Sequence, residues 1–228
     1  MIFSILEAKA QGLKKLTEFE AKEILKTAGI PVVKTFLARS KEEAQLLADN
    51  IGYPVVLKIC CRDLVHKTEA GGVSLGLAGS GEVGLAYDRM LKTMKTEHPR
   101  YSIEGVTVQP MIDGGIEVVA GVTRDPQFGA MVMFGLGGIF VEILRDVSFR
   151  IVPLTEEDAY EMIDEIRGRA LLDGARGTDP VKIEALAEVL LKLSHFAEAN
   201  PGVKELDINP LFADSRGCVA ADARIILE

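Results

Sequence analysis

The alternation of helix-forming and strand-forming segments constrains the fold of this chain more than any other feature. Residues 17–20 (TEFE) and 40–43 (SKEE) are both capping boxes, in which a hydroxyl and a Glu three residues later bond the free amides of a helix start. The helices that they begin are expected to end at Gly29 and Gly52. Residues 55–60 form a continuous apolar run, which is typical of a buried strand. We therefore predict a chain of mixed class, α+β (α/β).

The second half of the chain has a different pattern, in which short strands follow one another and are separated by turns. The sequence QPMIDGG at residues 109–115 interrupts the earlier pattern, so the boundary between two lobes is expected there. We predict an N-terminal extension over residues 1–16, a first lobe over 17–110 and a second lobe over 111–228. The remaining expected strands are 32–38, 73–77, 106–111, 116–124, 131–135, 148–152, 203–212 and 218–227. The remaining expected helices are 80–97, one that starts at 155–158, and 180–199.

Composition argues against several classes of function. Binding to nucleic acid or to an anionic membrane surface needs a basic face, and the net charge here is −8. The N-terminus lacks the basic start and long apolar run of a signal peptide, and no charge-free window reaches transmembrane length. The cysteines are odd in number and two of them, Cys60 and Cys61, are adjacent. We therefore expect reduced thiols in a cytoplasmic protein.

A polar loop between two apolar stretches, within residues 58–76, contains His66, one of only three histidines. Loop positions seldom serve packing, so a histidine there points to chemistry. Lys58 and Lys67 flank it with positive charge, and Gly71 and Gly72 offer backbone amides. Basic side chains and glycine amides beside a histidine suggest phosphate chemistry. On the loop alone, a surface loop with scattered charges is an equally good interpretation.

The C-terminal hairpin gives a second signal. Alternate residues of a strand face the same way, so Asp207 and Asn209 share one face. The sequence DSRG at residues 214–217 suits a type I turn, and folding the hairpin there places Asn209 directly opposite Asp222. Opposed side chains lie roughly 5 Å apart at Cβ. Three oxygen-bearing side chains on one face predict a Mg²⁺ site shared with phosphates, and the alternative is a solvated polar face.

A glycine-rich segment over residues 134–147 is a weaker signal. Its glycines could let a ligand approach the backbone, or could serve only a tight turn. Neither the dinucleotide-binding spacing nor a P-loop is present, so a nucleotide site would be of another kind. Glu117 and Glu142 lie in apolar strands, where an unpaired carboxylate is costly. Each is expected to need a partner, either a buried basic group or a ligand.

Four stretches together carry a family resemblance that covers nearly the whole chain: DLVHKTEAGGV, VQPMIDGGIEVVAGVTRDPQFG, MFGLGGIFVEILRDV and ELDINPL. The chain resembles the ATP-grasp β subunit of the ADP-forming acyl-CoA synthetases, which include acetate–CoA ligase (ADP-forming). It resembles the nucleotide-binding part of succinyl-CoA synthetase more distantly. The resemblance implies an ATP-grasp fold, in which two α+β lobes grip ATP between them.

The resemblance also implies roles for residues of a nucleotide site. Lys58 would neutralise nucleotide phosphates. Gln109, Pro110 and Met111 would form the hinge against adenine, through backbone groups and apolar contact. Glu117 would lie near the ribose or the phosphates.

The same resemblance implies the roles of a metal site and of a covalent intermediate. Asn209 and Asp222 would hold Mg²⁺, in agreement with the hairpin argument. His66 would carry the phosphoryl group transiently, and Asp207 would orient its ring.

The reaction implied is the conversion of acyl-CoA, ADP and phosphate to the free acid, CoA and ATP. In this family a separate subunit or domain binds CoA, so the resemblance implies a partner α subunit and a heterotetramer of two α and two β subunits. Two alternatives stay open. One is a self-contained ATP-grasp ligase joining a carboxylate to an amine, which needs no phosphohistidine. The other is a non-catalytic ATP-sensing module, which needs neither His66 nor the metal ligands.

Overall fold

The computed structural model describes residues 4–64, 66–138, 146–174 and 179–228, and it confirms the predicted mixture of helices and strands. Along the chain the elements are α1 (Ile5–Ala10), α2 (Glu18–Thr27), β1 (Phe36–Ala38), α3 (Lys41–Ile51), β2 (Val55–Cys60), β3 (Val73–Leu77), α4 (Ser80–Glu97), β4 (Gly105–Pro110), β5 (Ile116–Asp125), β6 (Gly129–Leu136), β7 (Val147–Ile151), α5 (Glu156–Glu165), α6 (Arg169–Leu172), α7 (Ile183–Ala199), β8 (Val203–Asp214), β9 (Gly217–Ala220) and β10 (Ala223–Leu227). Within the described ranges, no helix is both long enough and apolar enough to cross a membrane.

By their contacts the residues divide into two compact units. Unit 1 comprises Met1–Leu16, Glu20–Val32 and Asp113–Glu228, and unit 2 comprises Thr17–Phe19 and Val33–Ile112. The expected lobe boundary after residue 110 lies two residues before the observed one. The segment before Val33 departs further from the prediction. Helix α1 was expected in a separate extension and α2 in the first lobe, but α1 and most of α2 belong to unit 1. The reason is packing, since α2 buries Ala21, Ile24 and Leu25 in the core of unit 1.

Unit 2 is built on a four-stranded antiparallel sheet with the strand order β1-β4-β2-β3. The central strand β2 is buried along its whole length, as its apolar run predicts. Helices α3 and α4 pack on the sheet, and the core includes Leu57, Met90 and Val108. Helix α3 begins with the Ser40 hydroxyl accepting from the Glu43 amide at 3.1 Å. Only this half of the predicted capping box forms, since the Glu43 carboxylate bonds the Arg39 amide instead.

Unit 1 is built on a six-stranded antiparallel sheet. Its strands follow the order β10-β8-β5-β6-β7, and β9 also pairs with β8. Helices α5 and α7 pack with the apolar side chains of this sheet into one core, which includes Phe134, Met162 and Leu193. The predicted last strand, 218–227, is divided at residues 221–222 into β9 and β10. The long helix begins at Ile183 rather than at residue 180, and the predicted strand over 32–38 is limited to Phe36–Ala38.

Candidate functional site

The C-terminal hairpin of unit 1 has the register that the sequence predicts. Its turn is held by Asp214, whose Oδ1 accepts from the amides of Arg216 and Gly217 at 2.8 and 3.1 Å. Beyond the turn Leu211 pairs with Ala220, and further along Ile208 pairs with Ala223. The two segments share one register, so Asn209 stands opposite Asp222 in the gap between β9 and β10. This part of the prediction is confirmed.

The same hairpin presents a polar outer face. Leu206 and Ile208 are fully buried, while Asp207 is half-buried and Asn209 is exposed. Burial raises the pKa of Asp207 above its ordinary value. Arg224 opposes this shift, and the negative charges of Glu205 and Asp222 add to it. Asp207 therefore lies within electrostatic reach of Asp222, as the shared face requires.

An arginine on β10 belongs to this polar face. Arg224 pairs with Asp207 across the ladder, and its guanidinium is hydrogen-bonded to the Glu205 carboxylate. Its Nε atom is buried and has no hydrogen-bond partner among the described residues. The register used to place Asn209 opposite Asp222 also places Arg224 opposite Asp207, so the sequence contained the signal that would have found it.

The predicted metal ligands, Asn209 and Asp222, have the chemistry that a divalent cation requires. Both side chains carry oxygen atoms, and hard cations such as Mg²⁺ prefer oxygen ligands. Within the described ranges, no group of three or more His, Cys, Asp and Glu side chains could hold a metal ion. A pair of protein oxygens suits Mg²⁺ bound jointly with phosphates better than a closed all-protein cage. The residues fit the group, and their role as ligands stays a prediction.

The histidine loop in unit 2 leaves His66 accessible. The side chain is 73 % exposed, and its Nδ1 lies 3.6 Å from Oε1 of Glu69. It borders a cavity of about 450 Å³ whose lining includes His98, Arg100 and Tyr101. Asp207, the predicted orienting carboxylate, belongs to unit 1, so its pairing with His66 stays a prediction. Within unit 2 the carboxylate beside His66 is that of Glu69.

The predicted phosphate-binding lysine, Lys58, lies on the buried strand β2 and is 7 % exposed. Its Nζ donates to Oε1 of Glu18 at 2.8 Å. Lys67, the residue after His66, donates to the other oxygen of the same carboxylate. Sequence reasoning named both lysines but gave Glu18 no role, because nothing local connects residue 18 with residues 58 and 67.

The two glycines of the loop serve its own backbone. Gly71 has a φ of 66° and its amide donates to the Thr68 carbonyl at 3.1 Å, while the Gly72 amide donates to the Lys67 carbonyl at 2.7 Å. The sequence predicted that these amides face an anion. In this conformation neither is available, because each closes a turn within the loop.

The predicted hinge residues end strand β4. Gln109 is 3 % exposed, and its Oε1 accepts from the Thr35 hydroxyl at 3.4 Å. Pro110 closes the strand, and Met111 follows it with an exposed side chain. The amide of Met111 donates to the Pro54 carbonyl at 3.0 Å. An exposed methionine after a buried strand end can supply apolar contact, and the role of these three residues as a hinge against adenine stays a prediction.

Glu117 and the glycine turn lie side by side in unit 1. The Gly137 amide donates to the Glu117 carbonyl at 2.7 Å. A Cβ added at Gly138, whose φ is +57°, would lie 3.6 Å from Oε2 of Glu117. The Glu117 side chain is exposed, so water can solvate it and the expected need for a buried basic partner is wrong. Its contact with a ligand stays a prediction. Glu142 lies outside the described residues.

Comparison with known proteins agrees with this fold from end to end. The model of the ATP-grasp domain family matches residues 7–227. The β subunit of ADP-forming acetate–CoA ligase I from Pyrococcus furiosus is 49 % identical over 223 residues, which is 98 % of this chain and 96 % of that subunit.

Two solved structures of the dinucleotide-forming acetyl-coenzyme A synthetase 1 of Ca. Korarchaeum cryptofilum have the same fold. The complex with coenzyme A, Ca-AMPCP and HgCl⁺ has a TM-score of 0.96 and 46 % identity, and it covers 98 % of each chain. The complex with coenzyme A, acetyl-coenzyme A and a phosphorylated phosphohistidine segment has a TM-score of 0.90 and 45 % identity over the same share of each chain. The predicted ATP-grasp fold is thereby confirmed. The chain belongs to the ATP-grasp domain family, within the group that contains the β subunits of ADP-forming acetate–CoA ligases.

Proposed function

We propose that this chain is the nucleotide-binding β subunit of an ADP-forming acyl-CoA synthetase of the acetate–CoA ligase type. The reaction is the conversion of acyl-CoA, ADP and phosphate to the free acid, CoA and ATP. The observation that carries this proposal is the match over 98 % of this chain and 96 % of a β subunit of that enzyme, at 49 % identity. An alignment of that extent spans both the histidine loop and the C-terminal hairpin.

The proposal requires a partner. The relative from Pyrococcus furiosus is a β subunit, and the name implies a second subunit that completes the enzyme. We assign CoA binding and formation of the acyl phosphate to an α subunit, in a heterotetramer of two α and two β subunits. The chain is expected to be inactive alone, and full acyl-CoA synthesis by the isolated chain would contradict this.

The residues of the nucleotide site act by binding and neutralising charge. Lys58 would contact the phosphates of ADP or ATP. The strand end formed by Gln109, Pro110 and Met111 would contact adenine, and Glu117 would contact the ribose or a phosphate.

The metal site would act on the same phosphates. Asn209 and Asp222 would hold Mg²⁺, which when bound neutralises phosphate charge. Phosphoryl transfer needs little beyond positioning and charge neutralisation, so these groups suffice for the nucleotide half of the reaction.

His66 would carry the phosphoryl group between the two half-reactions. A neutral imidazole can attack phosphorus with its free ring nitrogen. In the direction from ATP, the nitrogen–phosphorus bond forms as the bond between the γ-phosphorus and the bridging oxygen breaks. ADP leaves with that electron pair. Asp207 would accept a hydrogen bond from the other ring nitrogen and stabilise the positive charge that develops.

Labelling with γ-phosphate-labelled ATP tests this function in the complex of the chain with its CoA-binding subunit. The label is expected on His66, and it should be lost in acid and retained in alkali. His66→Ala should lower turnover by roughly 10³-fold or more, as loss of a covalent nucleophile does. His195→Ala is the matched control, because His195 is an exposed histidine on α7. Nucleotide binding without any label on His66 would instead favour the non-catalytic sensing module.

Calorimetric titration with Mg·ADP tests the metal site separately. Asn209→Ala and Asp222→Ala should each weaken binding, because each removes one oxygen ligand. Asp214→Asn in the same hairpin is the control, since an Asn retains the oxygen that accepts from the turn amides. Unchanged affinity in both alanine variants would remove these residues from the metal site.

A further inference from the structure

One carboxylate in unit 2 joins the phosphate-binding lysine to the histidine loop. The Glu18 side chain is only 4 % exposed, and its two oxygens are bonded by the ammonium groups of Lys58 and Lys67. Lys58 lies 40 residues from Glu18 along the chain, and Lys67 lies 49 residues from it. An ionised carboxylate at this depth is costly unless it is paired, so both ion pairs hold it in place.

The two lysines belong to different parts of unit 2. Lys58 is central in the sheet, because it pairs with Val73 on β3 and with Thr107 on β4. Lys67 is part of the loop and directly follows His66. Its side chain is 14 % exposed, whereas that of His66 is 73 % exposed. The loop is thus anchored by Lys67 on its buried side and presents the nucleophile on its open side.

Hydrogen bonds make the loop a single body behind that anchor. The His66 carbonyl accepts from the Ala70 amide at 3.1 Å, and the Lys67 carbonyl accepts from the Gly72 amide at 2.7 Å. The Gly72 carbonyl in turn accepts from the Ile59 amide at 2.8 Å, next to Lys58 on β2. Because these bonds tie the backbone beside His66 to β2, an anchor on the Lys67 side chain constrains the backbone that carries His66.

We propose that Glu18 is a positioning residue for phosphoryl transfer through His66. Glu18 holds the loop in place through the ammonium group of Lys67. It also positions the ammonium group of Lys58, which is the group that would contact phosphate. This inference rests on the proposed function, in which His66 takes the phosphoryl group from ATP. Glu18 itself touches neither the nucleotide nor the reacting atoms.

The arrangement predicts that a change at Glu18 slows phosphoryl transfer without weakening nucleotide binding. Replacing Glu18 by Gln removes the negative charge that competes with phosphate for Lys58, so the affinity for Mg·ATP is retained or increases. The same change releases Lys67 and with it the orientation of His66. A displacement of the attacking nitrogen by about 1 Å lowers the rate on the order of 10²-fold. A slower transfer with undiminished binding is not what general destabilisation produces.

The experiment measures two quantities on the complex of this chain with its CoA-binding subunit. The first is the single-turnover rate at which label from γ-phosphate-labelled ATP reaches His66, and the second is the dissociation constant for Mg·ATP. Glu18→Gln and Lys67→Met are each expected to slow labelling about 10- to 100-fold, with Mg·ATP affinity unchanged or higher. Lys67→Arg should recover much of the rate, because it retains the charge.

A matched control is an ion pair of equal length in the same unit. Lys41 Nζ lies 2.8 Å from Oδ2 of Asp88 on an exposed face, so Lys41→Met should alter neither quantity. If Glu18→Gln does not fold, Lys67→Met tests the proposal instead, because the Lys67 side chain is more exposed than that of Glu18. Normal labelling in the folded variants would overturn the proposal, and so would a rate that falls only in step with nucleotide affinity. Absence of label from His66 in the unaltered complex would instead overturn the proposed function.

Discussion

Arg124 on β5 is expected to be worth far more to stability than Arg150 on β7, although both make several bonds. Helix α7 has no basic residue in its last turn to balance the negative end of its dipole. Arg124 supplies that charge from β5: one of its terminal nitrogens donates to the carbonyls of Ala197 and Asn200 at 2.8 and 3.2 Å. Its Nε donates to the Val203 carbonyl at 2.7 Å. It therefore joins the end of α7 to the start of β8.

The magnitude follows from these three bonds. A hydrogen bond to a charged group contributes about 1.5–3 kcal/mol, and water recovers part of this at half-buried carbonyls. Taking about 1 kcal/mol for each bond, Arg124→Met should lower the free energy of unfolding by about 3 kcal/mol. Arg150 instead bonds Glu165 and Glu161, which are 50 % and 55 % exposed. Arg150→Met should cost less than about 1 kcal/mol, as exposed ion pairs do.

Urea titration followed by far-ultraviolet circular dichroism measures both changes, and the absence of Trp makes this a better signal than fluorescence. The rate of amide hydrogen exchange in α7 should increase in Arg124→Met but not in Arg150→Met. The loss in Arg150→Met should shrink in 1 M salt, whereas the loss in Arg124→Met should not, because salt screens exposed pairs most strongly. Equal losses in the two variants, or a larger loss at Arg150, would refute the argument from helix-end carbonyls.

Three further outcomes are expected. Burial raises the pKa of Asp207 above 3.8, so ionisation of this side chain destabilises the fold as pH rises from that value. Asp207→Asn should therefore have a higher melting temperature than wild type at neutral pH, and the difference should vanish on acidification. Burial raises the pKa of the Cys218 thiol to about 11, so alkylation near pH 8, followed by mass spectrometry, should be about 100-fold slower than for an exposed thiol. Gly121→Ala should lower the melting temperature, because its Cβ would lie 2.5 Å from the Leu206 carbonyl oxygen, whereas Gly81→Ala on α4 meets open space and should raise it slightly.

Local sequence signals predicted the elements and the hairpin well. The apolar run at residues 55–60 is the buried strand β2, and Gly52 ends α3 as expected. The DSRG turn predicted the register that places Asn209 opposite Asp222. These successes share a cause, because turn chemistry, helix caps and strand periodicity all act between residues close in sequence. The family resemblance, which rests on four continuous runs of residues, was confirmed by the match to the ATP-grasp domain family.

Contacts between distant residues were decided by tertiary structure alone. Helix α2 was expected in the first lobe, but its buried side chains place most of it in unit 1. Gly71 and Gly72 were expected to offer amides to an anion, but the folded loop uses both.

The bonds from Lys58 and Lys67 to Glu18 show the limit most clearly. Each joins residues at least 40 positions apart, and Arg124 bonds the end of α7 from 73 positions away along the chain. The sequence by itself determined which segments form helices, strands and turns, because local hydrogen bonding and apolar periodicity specify them. Only the tertiary structure decided which charges meet, because burial in a common core brings together side chains that no local pattern relates.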